Sequence, residues 1–316
     1  GSLFQSVMDK DERRNLGAHY TSELNILKVV NSLFLDDLKS ELTAIKSNKQ
    51  VNVRASKLDT FHDKLAKLTF LDPACGCGNF LVVAYRELRL LELEVIEQIK
   101  QDSLQLVMDV DSLVRCNVNQ FYGIEIEEFP TQIARVAMWL VDHQMNLLVS
   151  ERFGTHYARI PLKQSAFIAF ANALQVDWPV TDYILGNPPF VGSRLMDLSQ
   201  KQDVKRAFNQ LKNVGDLDLV TAWYVCAARI ARNGKTKVAF VSTNSIVQGL
   251  QVSILWSEMQ RLEMEVFFAH RTFRWSNEAA KNAAVYCVII GFAKNSCNAL
   301  IPVSYTHLRA HETVLD

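Results

Sequence analysis

Apolar residues recur along this chain at two spacings, one suited to helices and one to short buried strands. From Ser22, which suits an N-cap with Glu23 in the first turn, Leu24, Leu27, Val30, Phe34 and Leu38 follow at helical spacing and predict a helix. Residues 40–67 are charged and weakly periodic, which predicts a solvated helical connector. An alternation then begins. Residues 68–71 form a short apolar run ending in Asp72; a glycine-punctuated turn over 73–78 follows, and then Phe80, Ala84, Leu88, Leu91 and Val95 at helical spacing. Residues 121–126 read as a second strand, and Pro130 suits the first turn of a helix carrying Ile133, Ala137, Leu140 and Val141. Further strands are predicted over 167–170, 183–185 and 238–242 and near Val266 and Val285, with a helix over 217–231. Strands alternating with helices predict an α/β fold with a mostly parallel sheet covered on both faces. In such sheets ligands sit beyond the carboxyl ends of the strands.

Composition narrows the class. The 316 residues carry 34 Lys+Arg against 34 Asp+Glu and are 49% hydrophobic, with 12 Gly and 7 Pro, which excludes disordered and collagen-like chains. The apolar runs, such as 285–291, are too short to cross a bilayer, and no signal segment opens the chain, so a cytoplasmic protein without membrane partners is expected. Six cysteines include no C-x-x-C pair, which predicts reduced thiols and no zinc cluster. No histidine pair has metal-ligand spacing; His143 and His270, in apolar surroundings, read as hydrogen-bonded core residues. Zero formal charge argues against a free-standing strong nucleic-acid binder. Gly1-Ser2 reads as a cleavage scar, and the final stretch from about Ser304 abandons the preceding periodicity. The expected organisation is an N-terminal helical segment (1–67), a catalytic domain (68–303) and an irregular tail (304–316).

Three segments carry chemistry. Asp72-Pro73-Ala74-Cys75-Gly76-Cys77-Gly78-Asn79 joins a strand end to a helix start, where glycines let a ligand approach the backbone and free N–H groups favour an anionic group. A dinucleotide fingerprint fits poorly: Leu81 stands where a third glycine is wanted, and the next strand-end acid, Glu125, lies well beyond the expected offset. Glu125, followed by Ile126, is placed to accept from both hydroxyls of a ribose; alone, it equally suits a solvated edge charge. The sharpest signal is Asn187-Pro188-Pro189-Phe190 directly after an apolar strand. Two prolines remove two donors and stiffen the loop, so the Asn187 side chain and the adjoining carbonyls present acceptors in fixed geometry. Such acceptors can take both N–H bonds of a planar amine while Phe190 stacks on its ring.

These motifs together resemble the amino-group DNA methyltransferases that use S-adenosylmethionine, chiefly the adenine-N6 class. Gly17-Ala18-His19-Tyr20-Thr21-Ser22, ahead of the glycine turn, resembles that class's N-terminal cofactor motif, and this order marks the gamma arrangement. Phe273-Arg274-Trp275-Ser276-Asn277-Glu278 and the segment Asp142-His143-Gln144-Met145-Asn146 resemble in particular the methyltransferase core of single-chain type IIL restriction–modification enzymes, the Mme-like family. The resemblance covers about Arg13 to Phe292. It implies a class I, Rossmann-like methyltransferase with S-adenosylmethionine as cofactor, double-stranded DNA as partner and a flipped-out adenine as target. It places Tyr20 and Thr21 near the methionine moiety, and Asp72, Pro73 and the backbone from Ala74 through Cys75 and Gly76 to Gly78 and Asn79 around its amino and carboxylate groups. It places Glu125 and Ile126 at the ribose and Asn172 and Ala173 by the adenine, although many relatives have an acid where Asn172 stands. Asn187, Pro188, Pro189 and Phe190 would hold the target base, with Phe273 or Trp275 as a second aromatic wall. In that family a nuclease region precedes and a target-recognition region follows; this chain is expected to carry neither.

The implied transfer needs no covalent nucleophile, because alignment and electrostatics supply the rate. The cytosine-C5 route would need a nucleophilic cysteine after proline, and no Pro-Cys dipeptide occurs; Cys75 and Cys77 read as small packing residues. Arg194, Lys201, Lys205, Arg206 and Lys212 would meet phosphates or form a solvated face. Asp37-Leu38-Lys39 and Asp203-Val204-Lys205 echo nuclease motifs by chance. Transfer to cytosine N4, RNA or a protein glutamine, or a non-catalytic cofactor-binding scaffold, are the competing readings.

Overall fold

The computed structural model describes residues 22–102, 113–154, 165–211, 213–275, 285–294 and 303–304. Tyr20, Thr21, Lys212 and the tail after 304 lie outside the described residues, as do the side chains of Arg274 and Trp275. The chain forms two compact units. One comprises residues 26–171 together with 181–183; the other includes 172–180 and the chain from 184 onward.

In the first unit, helices α1 (Glu23–Val30) and α2 (Asp36–Lys46) are joined through a π-helical turn, Asn31–Leu35, whose wider winding lets three consecutive residues, Leu33, Phe34 and Leu35, all be buried. Helix α3 (Val51–Lys67) departs from the solvated connector expected there. It buries Leu58, Phe61, His62 and Leu65 at i, i+3, i+4 and i+7, an inward stripe hidden in the sequence by flanking charges. Strands β1 (Phe70–Asp72), β2 (Phe121–Glu125) and β3 (Phe167–Phe170) pair in parallel, with Phe70 beside Phe121, Asp72 beside Gly123 and Gly123 beside Ile168. Helix α4 (Asn79–Asp102) links β1 to β2, and α5 (Glu128–Phe153) lies between β2 and β3 in the chain. Phe70 stacks on Phe121 at 4.7 Å between ring centroids and touches Phe34 and Tyr183, an aromatic column. Each pair contributes about 0.5–1.5 kcal/mol beyond area burial.

The predicted inward face of α5 is shifted. Leu140 is exposed, whereas Ala134, Met138, Val141, Met145 and Val149 are buried. Val136, Trp139 and Leu147 are exposed as well, so apolar residues occur on both sides of this helix and periodicity alone selects no face. His143 is not a core residue: it is exposed and stacks on Trp139. The buried polar core of the unit is built instead around Arg89. Its guanidinium donates to the Tyr85 hydroxyl (2.6 Å), Asp142 (3.2 Å) and Asn146 (3.1 Å) and pairs with Glu92 at 3.1 Å. Glu92 in turn accepts from the Arg115 and Cys116 N–H groups and lies 3.0 Å from His62 Nε2.

In the second unit, α6 (Leu198–Ala207), α7 (Val220–Ala231) and α8 (Gln251–Arg261) accompany β5 (Lys237–Thr243), β6 (Met264–Trp275), β7 (Val285–Lys294) and β8 (Val303–Ser304). Strand β4 (Tyr183–Gly186) begins in the first unit, where the Tyr183 N–H donates to Thr69 O, and continues into the second. The late strands depart from the parallel expectation: β7 pairs antiparallel with both β5 and β6, and only β8 joins β6 in parallel. A short link between β6 and β7 permits only a hairpin, since a parallel crossover needs a dozen or more residues. The Phe268 ring lies over Gly291, where a Cβ would fall 2.1 Å from a ring carbon, so only glycine fits. Helix α7 is apolar on nearly all sides and buried; its Tyr224 stacks on Phe292 and hydrogen-bonds Ser242 at 2.9 Å.

Candidate functional site

The glycine turn is assembled within the first unit. All three residues of β1 are buried, so its last residue, Asp72, delivers a carboxyl group into a region that water does not reach. Oδ1 accepts from the Ala74 N–H at 3.0 Å, while Oδ2 is buried and has no hydrogen-bonding partner among the described residues. Burial drives the pKa up to about 8; the Ala74 N–H opposes the shift and the Glu125 charge adds to it. The turn closes through the Gly78 N–H to Cys75 O (2.8 Å), with Gly76 at φ +53° and Gly78 at φ +84°, in the left-handed region that glycine adopts without strain.

Strand β2 supports the turn from the side. The Cys75 N–H donates to Ile124 O, and the Gly76 N–H donates to Glu125 Oε2 at 2.8 Å, while Glu125 Oε1 accepts from the Glu127 N–H. Burial raises the Glu125 pKa, against these N–H groups. The Cys75 thiol packs against Gly123, where a Cβ would lie 2.9 Å from Sγ and 2.8 Å from Ile168 Cδ1. Burial pushes that thiol far up, with Asp72 and Glu125 adding to the shift, which keeps it protonated and suits a packing role. The N–H groups of Ala74, Cys75, Gly76 and Gly78 are thus engaged in holding the turn's shape. Pro73 is buried behind it, Asn79 opens α4, and Ile126 is exposed beyond the strand end.

The remaining site residues lie in the second unit. Asn172 Oδ1 accepts from the Leu174 N–H and its Nδ2 donates to Asp203 Oδ2 at 2.8 Å; Ala173 O accepts from the Trp178 indole at 2.7 Å. Asp203, which resembled a nuclease acid by chance, is buried and also accepts from Gln175 and Arg206. Residues 187–190 follow β4 directly, with Pro188 buried and Asn187, Pro189 and Phe190 half-buried. Beyond them Val191 is buried and its carbonyl accepts from the Leu219 N–H. Arg194, Lys201, Lys205 and Arg206 are all exposed. Phe273 is buried in β6 beside Cys287. Among the described residues no group of three or more His, Cys, Asp or Glu has metal-binding geometry, and no helix is long and apolar enough to cross a membrane.

The family described as MmeI, DNA-methyltransferase domain, matches residues 46–302. DNA methyltransferase A of Bacillus subtilis strain 168 is 40% identical over 301 residues, which cover 92% of this chain and 33% of that protein. The chain thus spans about a third of that curated relative's length, and a smaller share of the second, a putative type II restriction enzyme and methyltransferase of Methanocaldococcus jannaschii. The solved structure of the type IIL restriction-modification enzyme MmeI in complex with DNA is 56% identical with a TM-score of 0.86, over 92% of this chain and 39% of that one. A type I restriction-modification methyltransferase subunit from Streptococcus thermophilus shares the fold alone, at 16% identity and a TM-score of 0.50 over 89% of this chain and 45% of its own. The α/β fold is therefore the class I methyltransferase fold. Since the family match runs over most of the sequence, the chain belongs to the MmeI DNA-methyltransferase domain family.

Proposed function

We propose that this chain transfers a methyl group from S-adenosylmethionine to the N6 amino group of an adenine rotated out of duplex DNA, as the modification domain of a restriction–modification protein. The observation that carries the reading is the buried Oδ2 of Asp72, without a hydrogen-bonding partner among the described residues, beside a glycine turn. A buried carboxylate is tolerated when it is paired, and the cationic ammonium of the cofactor's methionine moiety is the partner its chemistry suits. When bound, S-adenosylmethionine supplies an electrophilic sulfonium methyl. Asp72 would accept from the ammonium, Glu125 from the ribose hydroxyls, and the small residues of 74–78 would let the backbone come close. Asn172 and Ala173 would border the adenine, and Tyr20 and Thr21 the methionine moiety.

The acceptor half rests on the Asn187–Pro188–Pro189–Phe190 loop. Its carbonyls and the Asn187 amide would accept both N–H bonds of the target amine, drawing the nitrogen lone pair out of ring conjugation, and Phe190 would stack on the flipped base. A relative solved on DNA at 56% identity supports duplex DNA as partner. A relative about three times as long supports placing the nuclease and target-recognition functions in sequence outside this chain, which accords with its zero net charge. The organisation into a leading segment over 1–67, a catalytic domain over 68–303 and a tail belongs to the same reading, as does a cytoplasmic site of action.

Asn187→Ala is expected to retain S-adenosylmethionine binding by calorimetry and to lose methyl transfer. Nucleoside analysis of DNA incubated with the protein is expected to show N6-methyladenine. Methylated cytosine or glutamine as product, or turnover undiminished in Asn187→Ala, would overturn the reading.

A further inference from the structure

The stretch that leaves the Asn187–Phe190 loop is fastened to a single side chain. Asp218 Oδ1 accepts from the Ser193 N–H at 3.2 Å. Its Oδ2 accepts from the Ser245 hydroxyl at 2.7 Å, in the 3-10 turn Asn244–Val247 that follows β5, and from the Gln251 amide at 2.9 Å, at the first residue of α8. Gln251 answers with its carbonyl, which accepts the Asp218 N–H at 3.1 Å, and Gln251 is itself buried. One residue further on, the Leu219 N–H holds the Val191 carbonyl at 2.9 Å, and the Asp218 carbonyl takes the Thr221 hydroxyl. Ser193, Ser245 and Gln251 therefore converge on one carboxylate, each as a donor, and Asp218 together with the neighbouring Leu219 N–H holds residues 191–193.

A carboxylate can satisfy this set because it presents only acceptors. An amide of the same shape presents one acceptor and one donor, so a donor must face either Ser193 or the Ser245–Gln251 pair. We propose that Asp218 is the positioning residue of the acceptor loop: it transmits the fixed geometry of the β5 end and the α8 start to residues 187–193, so that the target amine meets its acceptors in one place. The proposal rests on the acceptor reading of residues 187–190. Asp218 touches neither substrate nor cofactor in this role; it acts through Ser193 and Val191.

The test compares Asp218→Asn and Asn187→Ala with the unchanged chain by amide hydrogen exchange, S-adenosylmethionine calorimetry and methyl transfer from labelled S-adenosylmethionine into unmethylated duplex DNA. For Asp218→Asn, exchange across residues 187–195 is expected to accelerate about tenfold or more, since charge-assisted hydrogen bonds are lost there, while the strands of the first unit exchange as before. Cofactor affinity is expected to stay within about twofold and transfer to fall about 10- to 100-fold, the scale of a misplacement near 1 Å. Unchanged exchange over 187–195, acceleration spread evenly through the protein, or faster loop exchange with undiminished transfer would each overturn the proposal. Undiminished transfer in Asn187→Ala would instead overturn the acceptor reading, and the loop-exchange result would still decide whether Asp218 clamps residues 191–193.

Discussion

Replacing Asp72 by Asn should produce a stability change whose sign reverses with pH. The carboxyl group is buried and its folded-state pKa is raised from 3.8 to about 8. The folded protein keeps this proton up to about pH 8, whereas the unfolded chain releases it near pH 4. The folded state therefore binds more protons across that window, and stability declines as pH rises from about 4 to about 8, then levels off. At 1.36 kcal/mol per unit, the decline amounts to about 4 kcal/mol by pH 7 and about 5 kcal/mol by pH 8. Asn removes this dependence but leaves an amide NH2 where Oδ2 has no partner among the described residues, at a cost of about 1–3 kcal/mol. The variant should thus be as stable as the unchanged protein or slightly less so near pH 5, and more stable by about 3 kcal/mol at pH 8. Urea midpoints measured without cofactor from pH 5 to 8.5, at constant ionic strength, read the difference directly. An offset that does not vary with pH would refute the reasoning, because Asp72 would then be neither desolvated nor proton-linked.

Three more outcomes follow from the same geometry. Binding of S-adenosylmethionine at pH 7 should ionise Asp72 and release most of one proton, so calorimetric enthalpies in phosphate and Tris should differ in step with the buffer heats; equal enthalpies would remove Asp72 from the ammonium site. Gly123→Ala places a Cβ 2.8 Å from Ile168 Cδ1 and 2.9 Å from Cys75 Sγ, and should lower the urea midpoint by an equivalent of about 1–3 kcal/mol. Adding Cys75→Ala should recover part of that loss, and strict additivity of the two changes would show that the pair is not fitted. Arg89→Ala should destabilise by about 3–5 kcal/mol, because it strands Asp142 and Glu92 as buried charges, and a loss under 1 kcal/mol by the same titration would contradict the network.

Much of the fold could be read from the chain because the decisive segments carry local signals. Pro73 to Gly78 announces a strand-to-helix turn through its glycines, and the expected strand over 167–170 coincides with β3. Helix α4 buries Phe80, Ala84, Leu88, Leu91 and Val95 as their spacing predicts. Where apolar residues occur on both faces, as along α5, or where charges surround a narrow stripe, as along α3, periodicity loses its direction. The polar assemblies were less legible. Two backbone N–H groups bond Glu125, and Asp203 orients Asn172, contacts that no motif in the sequence announces. The Gly76 and Asp203 partners lie 49 and 31 residues away in sequence, and a carboxylate's choice among distant donors leaves no periodic trace. Asp218 had no signal at all, since nothing in Gly215-Asp216-Leu217-Asp218 separates one acid from the other.

The brief visit of residues 181–183 to the first unit bears on how this protein can be taken apart. In those three residues Asp182 accepts both the N–H and the hydroxyl of Thr69, and Tyr183 completes the aromatic column on Phe70. A fragment ending at residue 171 would lack the stitch that anchors β1 at its start, the strand from which Asp72 projects. Gene dissection at that point parts residues 181–183 from the unit they belong to, and chimaeras between relatives should keep residues 26–183 from a single parent.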